Sequence, residues 1–153
     1  MKLRGPTGSR TLALADYHTG YKTDRRLPGE LITDVSWPVA EKGRFGSFYK
    51  LARRKGDAIT VVGVAISLGL GNGRFEGVRI ALASVAPAPM RAYAAERLLE
   101  GQQPAPDRVA AAAAAAADEC SPIDDVRASA AYRRHMVGVL VARMVNRAVQ
   151  AAN

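Results

Sequence analysis

The residues able to do chemistry in this chain gather in residues 48–68, FYKLARRKGDAITVVGVAISL. Lys50, Arg53, Arg54 and Lys55 stand on one short arm, and clustered cations of this kind bind an anionic ligand or an acidic surface. Other reactive residue types lack the company that chemistry needs. His18 and His135 have no Cys, Asp or second His at ligand spacing, which argues against a zinc site. No Ser or Cys stands in a nucleophile context such as GxSxG. Gly71-Asn72-Gly73 lacks the GxxxxGK[ST] pattern of a phosphate loop and reads as a hairpin turn. Tyr132-Arg133-Arg134 reads as a structural group, with an arginine holding a carboxylate or a helix end. Met136 and Met144 read as core.

The elements that must position these residues follow from the pattern of apolar side chains. Ile59–Leu68 is apolar except at Thr60, Gly63 and Ser67, which predicts a strand covered on both faces. Lys55-Gly56-Asp57 should turn the basic arm into it. Gly71-Asn72-Gly73 should turn it into a third strand, where Val78, Ile80 and Leu82 alternate with Arg79 and Ala81. Pro87 and Pro89 end that strand. Helices are expected over 91–99, from an Asp107 N-cap through Ala110–Ala117, and from Asp124 and Asp125 onward. The last of these carries Val126, Ala130, Met136, Val137, Leu140, Val141 and Met144 at core spacing. The expected class is α+β: a three-stranded antiparallel sheet covered on one face by about three helices, preceded by a short two-stranded N-terminal segment. That segment's strands are expected at 11–14 and 31–35, with too little apolar surface for a core of its own. The domain limits read as 1–38, a connector at 39–46, and a main domain over 47–150.

Bulk properties exclude several classes. The 153 residues suit one domain with an appendage, and 48% hydrophobic content can build a core. No apolar run reaches the roughly eighteen residues of a membrane span. The N-terminus MKLRGPTGSR lacks the apolar middle of a secretory signal. A single cysteine, Cys120, excludes an internal disulfide and points to a cytoplasmic setting. The net charge of +8 is uneven: residues 1–55 hold twelve Lys and Arg against five Asp and Glu, the remainder ten against nine.

Three blocks say more. FYKLARRKGDAITVVGVA, GRFEGVRIALASVAPAPMRA and SPIDDVRASAAYRRHMVGVLVARMV, in this order and at these distances, closely resemble the C-terminal domain of the FAD-binding medium subunit of molybdenum hydroxylases. That family includes xanthine dehydrogenases and aerobic carbon monoxide dehydrogenases. The resemblance covers about Gly46 to Val149, and LALADYHTGYKTDRRLPGELITDVSWP looks like the tail end of the adjoining FAD-binding domain. It implies an oxidoreductase component that carries electrons from 2Fe–2S clusters in a small subunit, through FAD, to an external acceptor. Substrate would be oxidised at a molybdenum cofactor in a molybdopterin-binding large subunit. It also implies cofactor-binding residues: Lys50 near the flavin ring system, Ile32 with Leu31 packing on the ring, and Lys22 as a further basic position. Asp125, Arg127, Tyr132 and Arg133 match a structural helix motif of the family. The family's glycine-rich segments for the FAD pyrophosphate have no counterpart in this sequence. The chain is therefore expected to be truncated at its N-terminus and inactive alone: either a truncated gene product or one half of a split flavin subunit that shares FAD with a separately encoded N-terminal portion.

Two other readings compete. One is a stand-alone module using Lys42–Lys55 to bind an acidic protein or nucleic acid, although no aromatic pattern or helix-turn-helix accompanies the cations, which disfavours nucleic acid. The other is a structural docking domain without flavin.

Overall fold

The computed structural model describes residues 1–39, 41–56 and 58–152. The chain divides into two compact units, Met1–Ala40 and Glu41–Asn153. Among the described residues, no helix is long and apolar enough to cross a membrane.

In the first unit, β1 (Lys2–Gly5) and β2 (Gly8–Thr11) form a hairpin, and β5 (Leu31–Asp34) pairs with the other edge of β1. A single helical turn, α1 (Leu14–Tyr17), leads into the small hairpin of β3 (His18–Gly20) and β4 (Thr23–Asp24). The strand expected at 11–14 ends at Thr11, because the Asp16 amide turns back onto the Ala13 carbonyl and closes α1. The segment at 31–35 is a strand as expected. Its partner β1 escaped prediction because KLRG offers one apolar residue and no alternation. Leu3 and Tyr17 are the buried hydrophobics of this unit. Ion pairs carry much of the rest: Arg10 Nε lies 2.7 Å from Glu30 Oε1, and Arg26 Nη2 lies 2.9 Å from Asp24 Oδ2.

In the second unit, β6 (Phe45–Ala52), β7 (Thr60–Gly71), β8 (Arg74–Ala83) and β9 (Met90–Arg91) form an antiparallel sheet in chain order. Asn72 and Gly73 make the β7–β8 turn at φ values of 51° and 72°. Both are positive, as a two-residue primed turn requires. Phe45 pairs with Leu68, so β6 begins inside the expected connector at 39–46. Its ring packs on the core, and that contact extends the ladder. Ala40 of the connector and Asp57 of the expected β6–β7 turn lie outside the described residues.

Helices α2 (Tyr93–Leu99), α3 (Pro106–Asp118) and α4 (Ala130–Ala152) follow. Val62, Val64, Ile66 and Leu68 of β7 and Val78, Ile80 and Leu82 of β8 share one core with Ala95, Leu99, Val109, Ala112, Val137, Leu140 and Met144. The helices therefore cover the even-numbered face of β7, as the expected class requires. The other face is not covered in the same way. There β7 shows Gly63, Ala65 and Ser67, and the run reads as doubly buried because small residues are apolar without needing a cover. The outer edge of β8 is satisfied by carboxylates of α2 and of Glu100 at its C-terminal cap. Glu96 accepts the Ile80 amide at 2.8 Å, and Glu100 accepts those of Gly77 and Val78 at 2.8 and 2.7 Å. These bonds replace the ladder where the two-residue β9 stops.

Helix starts differ from expectation in three places. Arg91 belongs to β9, so α2 begins at Tyr93. Pro106, not Asp107, opens α3, since proline needs no donor at the first helical position. The last helix begins at Ala130, and Asp124–Ala128 is a tight turn instead. Asp125 Oδ1 accepts the Arg127 and Ala128 amides at 2.8 and 3.2 Å, which holds the backbone out of helix. Ser129 Oγ then accepts the Tyr132 amide at 3.2 Å and caps the helix. Val126, expected in the core, is consequently 89% exposed. Met144 is buried as expected, and Met136 packs half-buried against the core.

Candidate functional site

Lys50 sits in β6 opposite Gly63 of β7, which in turn faces Ala83 of β8. This row lies on the face turned away from the helices. The next row runs Phe48, Ala65, Ala81, Arg91. The strands thus pave this face with small residues, Gly63, Ala65, Ala81 and Ala83, between Lys50 and Phe48 on one side and Arg91 on the other. A Cβ added at Gly63 would stand 3.2 Å from the Ala83 Cβ, so the floor is already tight there. Phe48 is 65% exposed, and no described hydrogen bond or ion pair engages the ammonium of the exposed Lys50. Such a face can receive a flat ring and offer it one positive charge. The expected strand covered on both faces does not disclose this floor, because its small residues read as apolar in sequence whether or not anything covers them.

The other predicted residues lie in the first unit. Leu31 and Ile32 are adjacent on β5, with Leu31 opposite Arg4 and Ile32 opposite Leu3. Neighbours on a strand point to opposite faces, so a ring lying on one side chain does not lie on the other. Both are open to contact, at 68% and 43% exposure. The loop before them is clamped. Glu30 accepts two bonds from Arg10 and the Leu27 amide at 2.7 Å, and Arg10 also reaches the Arg25 carbonyl at 2.5 Å. The Arg10 guanidinium, then the Leu27 amide, hold the Glu30 carboxyl down at about 2. Lys22 occupies the β3–β4 turn at φ 55° with its ammonium 5.3 Å from the Tyr21 ring centre. The first unit thus carries Lys22, Leu31 and Ile32, and the second carries Lys50.

The rest of the basic arm surrounds an open hollow of about 580 Å³, lined from Tyr49 to Gly56 and by Ala58. A second hollow of about 710 Å³ lies between Arg53, Arg54, Ala58 and Ile59 of the arm and Val126 and Arg127 of the 124–128 turn. Arg53 Nη1 donates to the Val126 carbonyl at 3.0 Å and ties the two together. Beneath that turn, Arg133 is buried. It donates to Asp125 at 2.7 Å and to the carbonyls of Val61 and Ser84 at 2.6 and 3.0 Å. The sequence-based expectation of an arginine holding a carboxylate is met here. The amide of Arg127, then Arg133, hold the Asp125 carboxyl well below the usual carboxylate range. Cys120 is buried, its thiol donates to the Ala116 carbonyl at 3.1 Å, and burial pushes its pKa up to about 11. It is no nucleophile at neutral pH.

Residues 47–148 match the family model described as the CO dehydrogenase flavoprotein C-terminal domain. Over 150 residues, 96% of this chain, the sequence is 36% identical to the carbon monoxide dehydrogenase medium chain of Afipia carboxidovorans. It is 26% identical to a xanthine dehydrogenase FAD-binding subunit of Escherichia coli over 99% of its length. Among solved structures, carbon monoxide dehydrogenase from Hydrogenophaga pseudoflava superposes with a TM-score of 0.92 at 34% identity, covering 99% of this chain and 52% of that one. Quinoline 2-oxidoreductase from Pseudomonas putida 86 superposes with a TM-score of 0.87 at 28% identity, covering 99% and 52%. The chain spans about half the length of the curated relatives it matches: 51% of the first and 52% of the second.

Proposed function

The chain belongs to the CO dehydrogenase flavoprotein C-terminal domain family, and from that premise we propose that it is part of the FAD-binding subunit of a molybdenum-containing hydroxylase or dehydrogenase. The observation that carries the reading is the face around Lys50: one exposed ammonium, engaged by no described bond, beside a tight floor of glycine and alanine. These residues fit a flat ring that becomes anionic on reduction. FAD bound there would supply the redox step that relays electrons from 2Fe–2S clusters to an external acceptor.

Lys50 then acts as a fixed positive charge that favours the reduced, anionic state of the ring and raises its potential. The family resemblance assigns Ile32, with Leu31 beside it on the opposite face of β5, and Lys22 to the flavin as well. No helix among α2, α3 and α4 opens from a glycine-rich loop. We therefore assign the pyrophosphate and adenosine of FAD to a further portion of the subunit, with residues 1–38 as the tail end of its FAD-binding domain. The proposed partners are a molybdopterin-binding large subunit and an iron–sulfur small subunit, and the proposed setting is the cytoplasm.

The deciding experiment is the flavin midpoint potential of the assembled complex with Lys50→Ala. Loss of a tenfold preference for the reduced state lowers a two-electron potential by about 30 mV. An unchanged potential would leave a docking role only. Titration of the isolated chain with FAD should show weak binding or none, and a tight equimolar complex would overturn the division of FAD between two portions.

A further inference from the structure

Val126 is the most conspicuous exposed side chain of the second unit. It stands at the tip of a turn that does not move freely: the Asp125 carboxylate takes the Arg127 and Ala128 amides and the guanidinium groups of Arg127 and Arg133. Across the 710 Å³ hollow stands Ile59, itself 66% exposed. Holding two branched aliphatic side chains out in water adds nothing to folding, whereas it lowers the entropic cost of binding. Around them are Arg53 and Arg54, both exposed, and the exposed Lys55 lines the adjoining hollow. Arg53 is held by a neutral carbonyl, and among the described residues neither it nor Lys55 enters an ion pair with a carboxylate.

We propose that this hollow, framed by Arg53, Ile59, Val126 and Arg127, is a docking site for an acidic segment of a partner protein that carries an aliphatic side chain among its carboxylates. The charge is complementary to such a segment, and the aliphatic pair gives it a short-range anchor. Nucleic acid would be served by exposed aromatic rings on which bases stack. Here the apolar groups are aliphatic, and Tyr49 of the adjoining hollow packs against the core. The inference does not depend on flavin, so each reading can fail alone.

The test is a methyl and amide NMR titration of the full chain at low salt with four probes. They are an acidic peptide with glutamates around a leucine–isoleucine pair, the same peptide with serines at those two positions, charge-matched single-stranded DNA, and pyrophosphate. The first peptide should shift the Ile59 and Val126 methyl signals and bind at least about fivefold more tightly than the serine version. Val126→Ser and Arg53→Glu should each weaken it about fivefold or more. Both side chains are exposed, so an unchanged circular dichroism spectrum accompanies the loss. Binding of the DNA or pyrophosphate as tightly as the peptide would make the hollow a general polyanion site and overturn the proposal. So would absence of methyl shifts with the first peptide.

Discussion

Arg133 serves three oxygen acceptors from one buried position, since it joins the Asp125 turn to carbonyls at the start of β7 and just past the end of β8. Ser84, whose carbonyl it holds, sits at φ 64°, a left-handed conformation that serine adopts only when its surroundings impose it. Arg133→Met keeps most of the volume but leaves the buried Val61 carbonyl, the Ser84 carbonyl and a carboxylate short of donors. It should cost about 3 kcal/mol, read as a lower urea midpoint at unchanged slope. A second prediction concerns acid. Arg26 holds the Asp24 carboxyl at about 2, and Arg10 does the same for Glu30, against ordinary values of 3.8 and 4.5. Both folded-state values are depressed, so their contribution is complete above the ordinary values and disappears as pH falls from about 4.5 towards 2. Amide protection in β1, β2 and β5, taken relative to the intrinsic exchange rate at each pH, should fall over that window in the native chain. In Glu30→Gln, protection should already be low at neutral pH and change less with acid.

At the scale of elements, the β7–β8 hairpin shows how little sequence is needed to fix a register. Asn72 and Gly73 both take positive φ, and the pairing Gly71 with Arg74 follows from that two-residue turn. Gly73→Val places a β-branched side chain in the left-handed region and should cost about 1–2 kcal/mol, visible as a lower thermal midpoint. The same change at Gly46, where φ is not positive and an added Cβ meets nothing within 4 Å, should cost less than half as much. The helix starts were harder to read. Asp124 and Asp125 look like first-turn carboxylates, and in sequence nothing distinguishes that role from an Asx-type turn. The distinction is made by Arg133, eight residues further on, which draws the Asp125 carboxylate under the turn.

Across the whole molecule, burial is uneven. The second unit carries the continuous core of sheet and helices, whereas the first buries Leu3 and Tyr17. A fragment of residues 41–153 should therefore fold cooperatively alone, with helical circular dichroism and a single urea transition, and residues 1–40 alone should not. A fragment 41–153 without a cooperative transition would contradict this. What the sequence determined by itself was local or repeated: the apolar run of β7, period-two alternation in β8, the Asn72-Gly73 turn, the alanine-rich α3, and three blocks whose order marks the family. These are legible because each depends on near neighbours or on a pattern preserved over many residues. Tertiary structure alone decided that β1 pairs with β5, that Val126 leaves the core for solvent, and that the apolar run of β7 turns large residues to the helices and a small-residue floor outward beside Lys50. Each of those outcomes rests on partners that no local pattern pairs: strands far apart in the chain, a core shared by sheet and helices, or Arg133 beneath the turn eight residues before it.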